Sequence, residues 1–479
     1  MKKGDIIEDL VVQTMAAEGK CVSRINNLVI FLEGGAPGDT VDVMLTKIKS
    51  SFLEGRVTSI KKLSADRSTP FCIHFGTCGG CSWQHITYEK QLQYKQQQAV
   101  DHLERIGGLE LPSITPIVGS VKTRYYRNKL DYTFSAQRWL TWEEMGAKKA
   151  LLDDPTERLP AEPGLGYHIP RKFDLVFDVK VCHLQPDPSD GIRLAVKEEA
   201  LKHDIPFFDL RKQIGFLRTI TIRTANTGDV MIILQVTYDK MEWTEKILKR
   251  LEKEFPQITS FQYVINGKKN DTFSDLTILT WKGNPYITEK MTKPDGSGEL
   301  QFRVGPKSFY QTNSDQAYEL YKIAWKMAEL KGDELVYDLY TGTGTIANFI
   351  AGQAKKVIGL EYVAAAIEDA KVNSQINGIT NTEFFAGDIK DLLDEEFLSE
   401  HGKPDTVITD PPRAGMHEDV SRMLLKAAPN RIVYVSCNPA TQARDLKILS
   451  EKYDIVAVQP VDMFPHTVHV ENVVALVRR

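Results

Sequence analysis

From Val304 to the C-terminus, short apolar runs alternate with helical patterns, and this alternation constrains the fold more than any other feature of the sequence. The runs are Leu335 to Tyr340, Val357 to Glu361, Glu383 to Phe385, Thr406 to Thr409, Ile432 to Val435, Ile455 to Val458 and Val473 to Val477. Helical stretches at Ala364 to Asn377, Glu418 to Ala428 and Gln442 to Ser450 lie between several of them. Strands and helices in alternation predict a doubly wound, mostly parallel sheet. Ligands of such sheets bind outside the carboxyl ends of the strands, so the residues that follow each run are where chemistry is expected.

After the first run comes Asp338-Leu339-Tyr340-Thr341-Gly342-Thr343-Gly344-Thr345, a glycine turn that opens a helix and lets backbone approach a nucleoside. Glu361 ends the second run at the offset where an acid meets ribose hydroxyls. The three-glycine pyrophosphate fingerprint is missing, so a nucleoside without phosphate, S-adenosylmethionine, fits better than NAD. A plain glycine turn beside a solvated Glu361 is the bland alternative. Asp388 and Asp410-Pro411-Pro412-Arg413 follow the third and fourth runs, which aims both acids at one crevice. Arg413 stands where enzymes that methylate amino groups often carry an aromatic residue, which argues against an exocyclic amine as acceptor.

Cys437, in Ser436-Cys437-Asn438-Pro439, follows the fifth run. A lone cysteine is usually a buried packing residue. Polar neighbours and a helix starting beyond Pro439 favour a reactive thiol, with a pKa lowered by the helix N-terminus. A thiolate is what carbon 5 of uracil needs, because addition at carbon 6 makes carbon 5 nucleophilic. A base must then remove the proton from carbon 5. Glu471 is the candidate, with His466 and His469 as rivals.

The first ~60 residues hold short strand-like runs separated by turn signals such as Gly34-Gly35 and Pro37-Gly38-Asp39, as in a small OB-like barrel. The middle combines a helical Tyr88 to Ile106 with strand candidates at Leu217 to Arg223 and Val230 to Val236, an α+β pattern. Asp153 to Gly166 and Lys290 to Gly298 read as loops, the second as a linker. Cys72, Cys78 and Cys81 form C-x5-C-x2-C, and Cys182 is a possible fourth thiolate. Such a set suits zinc or an iron–sulfur cluster, and spacing does not separate them. Cys21 is left over as a structural residue. Arg124-Tyr125-Tyr126-Arg127-Asn128-Lys129, with Arg171-Lys172, interleaves cations and aromatics as an RNA surface would.

Hydrophobic content of 42% and charged content of 26% fit a globular protein of several domains. A net charge of -4 excludes a uniformly basic nucleic-acid coat. No apolar run is long enough to span a membrane and the N-terminus lacks a signal-peptide pattern, so a cytoplasmic protein is expected.

Together these motifs resemble the RNA 5-methyluridine methyltransferase family, and most closely its 23S ribosomal RNA (uracil-5-)-methyltransferases, over nearly the whole chain. The carrying residues include Gln311 in Phe309-Tyr310-Gln311-Thr312-Asn313, the Asp338 to Gly344 loop, Asp410 to Gly415, Ser436 to Thr441 and His466 to Glu471. The resemblance implies an N-terminal TRAM domain of OB fold (1–63), a central α+β iron–sulfur domain (64–300) and a C-terminal Rossmann-like α/β methyltransferase domain (301–479). It implies a [4Fe-4S] cluster on Cys72, Cys78, Cys81 and Cys182. S-adenosylmethionine would meet Gln311, Tyr340, Gly342, Glu361, Asp388 and Asp410, with Cys437 as nucleophile and Glu471 as base. Residues 137–166 look longer than family members need. The expected partner is structured RNA, 23S ribosomal RNA ahead of transfer RNA, and the expected state a monomer. An inert RNA-binding module of the same fold is the alternative from another class, against which intact Cys437 and Glu471 speak.

Overall fold

The computed structural model describes residues 1–16, 19–154, 156–157, 159–170 and 172–479. Arg171 of the expected RNA surface lies outside the described residues.

The N-terminal strands are β1 (Ile6–Val11), β2 (Thr14–Met15), β3 (Cys21–Ile25), β4 (Leu28–Glu33), β5 (Thr40–Ile48) and β6 (Phe52–Lys62), in sheet order β1-β5-β6-β4-β3-β2. Alternate residues point to one side, so Val41, Val43 and Leu45 of β5 meet Ile30, Leu32 and Leu53 in a small core. Cys21 is sealed in that core, as a structural cysteine should be. Gly55 lets β6 cross close by, since a Cβ there would come within 2.3 Å of Val43 Cγ1.

The middle of the chain contains α1 (Tyr88–Arg105), β7 (Lys129–Ser135), α2 (Trp142–Lys149), β8 (Gly164–His168), β9 (Val176–Asp178), α3 (Ser189–Lys202), β10 (Leu217–Thr224), β11 (Val230–Val236), α4 (Met241–Glu254), β12 (Ile258–Ile265) and β13 (Leu279–Gly283). Its sheet runs β13-β12-β11-β10-β7-β8-β9. Strand β11 is buried on both faces. Val230, Ile232, Leu234 and Val236 pack with Ile247, Leu248 and Leu251 of α4, whereas Met231 and Ile233 point the other way into the C-terminal core.

The C-terminal elements are β14 (Ile287–Thr292), β15 (Glu299–Val304), α5 (Ser314–Ala328), β16 (Leu335–Leu339), α6 (Thr345–Ile350), β17 (Lys356–Glu361), α7 (Ala364–Ile376), β18 (Thr382–Ala386), α8 (Ile389–Leu392), α9 (Glu395–His401), β19 (Thr406–Thr409), α10 (Glu418–Ala427), β20 (Arg431–Ser436), α11 (Pro439–Leu449), β21 (Tyr453–Val461) and β22 (Glu471–Arg478). The sheet order is β18-β17-β16-β19-β20-β22-β21, parallel except for β22, which is antiparallel to both neighbours. Lys290 to Gly298 is not a linker. It comprises the end of β14 and the turn of the β14–β15 hairpin, whose Ile287, Met291, Leu300, Phe302 and Val304 enter the C-terminal core. The polar residues that suggested a loop are the outward positions at the end of β14 and the turn. Likewise, Gly164 to Gly166 belong to β8 rather than to a loop. Among the described residues no helix is long and apolar enough to cross a membrane.

Candidate functional site

Five parallel strands, β16 to β20, deliver the residues at their carboxyl ends to one edge of the C-terminal sheet. Tyr340 follows β16 with φ 63°, and Gly342 and Gly344 of the same loop have φ 56° and 73°. A bulky residue held at positive φ is strained, and such strain gathers at binding sites. Glu361 ends β17 and accepts from Gly342 N at 3.1 Å and Val363 N at 2.9 Å, which fixes the loop against the next strand. Thr343 Oγ1 donates to Phe309 O at 3.5 Å, bringing the Phe309 to Gln311 segment onto the same loop. The side-chain amide of Gln311 has no hydrogen-bond partner among the described residues, and its backbone carbonyl accepts from Asn128 Nδ2 at 2.9 Å.

Asp338 is fully buried, and its Oδ2 accepts from Thr341 Oγ1 at 2.5 Å and Ala347 N at 3.0 Å. Its Oδ1 has no partner among the described residues. A buried, unpaired carboxylate oxygen beneath a glycine loop suits a cationic ligand group. Asp388 stands at the rim, where it caps α8 and pairs with Lys390 at 3.2 Å. Asp410 follows β19, between the glycine loop and Cys437.

Cys437 and Glu471 meet through strand register. Ser436, the last residue of β20, pairs with Asn472 of the antiparallel β22. Cys437 and Glu471 are the next residues on either side of that last pair, and the Glu471 charge reaches the thiol strongly enough to raise its pKa. Beyond Cys437, Asn438 caps α11 by accepting from Ala440 N at 3.2 Å, and its Nδ2 donates to Arg413 O at 3.0 Å. Thr441 Oγ1 donates to the same carbonyl at 3.2 Å, so the Pro411 to Arg413 turn is tied to the thiol loop.

Electrostatics mark the crevice as reactive. Burial, then the nearby Asp410, raises the Glu471 carboxyl to about 8 against the opposing pull of Arg413. Burial and then Asp338 raise Asp410 to about 7, and burial lifts Asp338 to about 7 as well. The expected low pKa of Cys437 does not hold. Burial, followed by Glu471 and Asp410, pushes the thiol up to about 12, with Arg413 opposing. The α11 N-terminus is already met by the Asn438 side chain, and desolvation beside two carboxyls outweighs it. The Arg413 charge opposes the upward shift of both the thiol and the base. The sequence reading missed this role, although a cation directly after Asp-Pro-Pro at a strand end was the available signal.

The loop from Asp462 to Val470 is held from outside the sheet by α1. Lys95 and Asp462, both with side chains 0% exposed, pair at 2.6 Å, and Lys95 Nζ also donates to Phe464 O at 3.0 Å. Tyr88 hydroxyl donates to Asp462 at 2.8 Å. Gln91 accepts from His466 N at 2.9 Å, and His466 O accepts from both Ser82 N and Trp83 N, at 2.8 and 3.0 Å. His466 is therefore a buried anchor with φ 64°, whose ring burial and Lys95 hold neutral, down to about 4. It is not placed as the base.

Cys72, Cys78, Cys81 and Cys182 are free thiols that line one enclosed cavity with Phe71, Phe75 and Tyr167. The fold thus brings Cys182 to the three clustered cysteines. As placed, no three His, Cys, Asp or Glu side chains among the described residues converge to hold a single metal ion. The Arg124 to Lys129 run is only partly a surface. Tyr126 is buried with its hydroxyl donating to Pro465 O at 3.1 Å, and Arg124 stacks on Phe71 at 3.8 Å from the ring centroid.

The geometry agrees with the comparisons. Residues 279–479 match the tRNA (uracil-5-)-methyltransferase family and residues 6–58 match the TRAM domain. An RNA methyltransferase from Bacteroides thetaiotaomicron is 54% identical over 96% of this chain and 99% of its own length. Another from Porphyromonas gingivalis is 54% identical over 97% of this chain and 98% of its own. The structure of Pyrococcus abyssi tRNA (uracil-54, C5)-methyltransferase in complex with S-adenosyl-L-homocysteine superposes with a TM-score of 0.73. It is 27% identical and covers 98% of this chain and 99% of its own. The strand order and crevice define a methyltransferase fold joined to a TRAM domain. The chain belongs to the RNA 5-methyluridine methyltransferase family.

Proposed function

We propose that this chain methylates carbon 5 of a uridine in RNA, with Cys437 as nucleophile and Glu471 as base. The observation that supports the reading is the β20–β22 pairing, whose last pair, Ser436 with Asn472, adjoins the thiol on one strand and the carboxyl on the other. The Cys437 sulfur adds to carbon 6 of the uracil, and the ring electrons make carbon 5 nucleophilic. S-adenosylmethionine would supply the methyl group, and the unpaired Asp338 Oδ1, the glycine loop, Glu361, Gln311, Tyr340 and Asp410 fit its binding, with Asp388 at the rim. Once carbon 5 carries the methyl group, Glu471 takes its remaining proton. The freed electron pair restores the carbon 5–carbon 6 double bond and expels the thiolate. The positive charge of Arg413 favours the charged forms of both groups during these steps. A thiol near 12 is a poor nucleophile at rest, so substrate binding must assist its deprotonation.

We assign 23S ribosomal RNA as the substrate, on the combination of a TRAM domain with four cysteines around one cavity. A second reading, transfer RNA, is favoured by the likeness to the Pyrococcus abyssi enzyme. Incubation with methyl-labelled S-adenosylmethionine and either purified RNA decides between them. Label on a ribosomal uridine is expected; label on transfer RNA alone would overturn the assignment, and label on neither would overturn the activity.

The four thiols would hold a [4Fe-4S] cluster, which would cross-link the Cys72 to Cys81 loop to Cys182. The fit rests on four free sulfurs around an enclosed cavity with aromatic walls. Anaerobic purification should give a brown protein with matching iron and acid-labile sulfide, whereas zinc alone would refute the cluster.

A further inference from the structure

Beside the catalytic crevice, where the central sheet meets the C-terminal body, lies a second cleft of about 390 Å³. Three features make its chemistry specific. Tyr125 stands on its wall, 47% exposed and held at φ 53°. Its N–H donates to His183 O at 2.8 Å and its hydroxyl lies 2.7 Å from His183 Nδ1, so a strained backbone presents an aromatic ring in a fixed pose. Arg127, also lining the cleft, spends only Nε on a protein acceptor among the described residues, Lys129 O at 3.3 Å. Its guanidinium lies 5.5 Å from the ring centroid of Phe464, in the loop that carries Glu471. The remaining lining is rich in acceptors, with the carboxyls of Asp187, Asp229, Glu289 and Asp315 against two cations, Arg127 and Lys122; Lys122 pairs with Asp315 at 2.7 Å, and Asp229 Oδ2 accepts from Thr288 N at 3.0 Å. Glu289 is buried, and accepts from Ser314 Oγ at 3.0 Å on one oxygen and from Asn226 N at 3.5 Å on the other.

Excess carboxyls repel a phosphate from the interior of the cleft but accept N–H donors well. An unpaired base can stack on a tyrosine ring and offer its edge to such acceptors, while a flanking phosphate meets an arginine. Cytosine, adenine and guanine each carry an exocyclic amino group, and uracil has none. The cleft is tied to the cofactor side, because Asn128 Nδ2 donates to Gln311 O at 2.9 Å and to Ser314 Oγ at 2.8 Å.

We propose that this cleft is a subsite for an unpaired, amino-bearing base of the RNA strand, stacked on Tyr125, with the adjoining phosphate held by Arg127 next to the catalytic loop. The proposal rests on the reading of the chain as an RNA methyltransferase and adds a second extruded nucleotide beside the target uridine.

Gln257 is an exposed residue on the cleft wall with no hydrogen-bond partner among the described residues, so Gln257→Trp fills the space without disturbing the fold. Saturation-transfer NMR on the full chain with CMP, AMP, GMP and UMP should show the three amino-bearing nucleotides binding more strongly than UMP. Gln257→Trp and Tyr125→Ala should each abolish that preference. With bulk ribosomal RNA, Gln257→Trp should raise the half-saturating RNA concentration about tenfold, within what one base–aromatic stack contributes, and leave S-adenosylmethionine affinity unmoved. Nucleotide binding indifferent to both substitutions, or an unchanged half-saturating RNA concentration, would overturn the subsite. Failure of the wild-type chain to methylate RNA would strike the proposed activity instead, and the mononucleotide measurement separates the two.

Discussion

Glu471 can act as a base only after losing a proton that burial holds to about 8 in the free chain. An acid whose pKa is raised is ionised more fully as pH rises, so release of the covalent intermediate should accelerate with pH and level off above about 8. Glu471→Gln should remove that rising limb and slow release by ~10²- to 10⁴-fold, the usual contribution of a positioned base. Rapid-quench measurement of adduct decay across pH checks both; a flat profile in the wild type would mean that another group takes the proton. Cys437 was legible from its place after an apolar run. Its nearness to Glu471 was not, because the run Val473 to Val477 does not reveal that β22 inserts antiparallel between β20 and β21. Nor did the sequence expose the thiol's raised pKa, which comes first from burial and then from the carboxyls of Glu471 and Asp410.

At the scale of elements, α1 and the loop before β22 form one unit through Lys95 and Asp462. Removing one member of a buried ion pair leaves the other charged and desolvated, at a cost of about 3–5 kcal/mol. Lys95→Met should therefore lower the denaturation midpoint sharply, and Lys95→Met combined with Asp462→Leu should recover much of the loss. Equal destabilisation by the single and double variants, measured in urea, would contradict this account. The helix itself was readable from Tyr88 to Ile106, but Lys95 looked like any other lysine on a polar surface. Its partner lies 367 positions away, and nothing local in Gln91 to Gln98 announces it. The β14–β15 hairpin escaped for the opposite reason, since its polar outward residues and turn masked a short alternating pattern.

Over the whole molecule, the central and C-terminal sheets share a core. The two faces of β11 serve different clusters, with Met231 and Ile233 packed among residues such as Phe302 and Val304. Neither body can expose that face cheaply, so both should unfold together. Ile233→Ala, which costs roughly 2–5 kcal/mol at a buried site, should shift one common calorimetric transition of these bodies. Separation into two transitions would show that the sheets fold independently. The doubly wound C-terminal sheet and the N-terminal barrel were legible because their periodicities are clean. The central sheet was less so, because strands buried on both faces lose the alternation that reveals them.

The account turns on one bond, between the Cys437 sulfur and carbon 6 of a uridine. Wild-type chain incubated with S-adenosylmethionine and 5-fluorouridine-substituted ribosomal RNA, then digested and mapped by mass spectrometry, should yield a single nucleotide adduct on the peptide containing Cys437. Cys437→Ala should yield none. An adduct on another residue, or one that persists in Cys437→Ala, would contradict it.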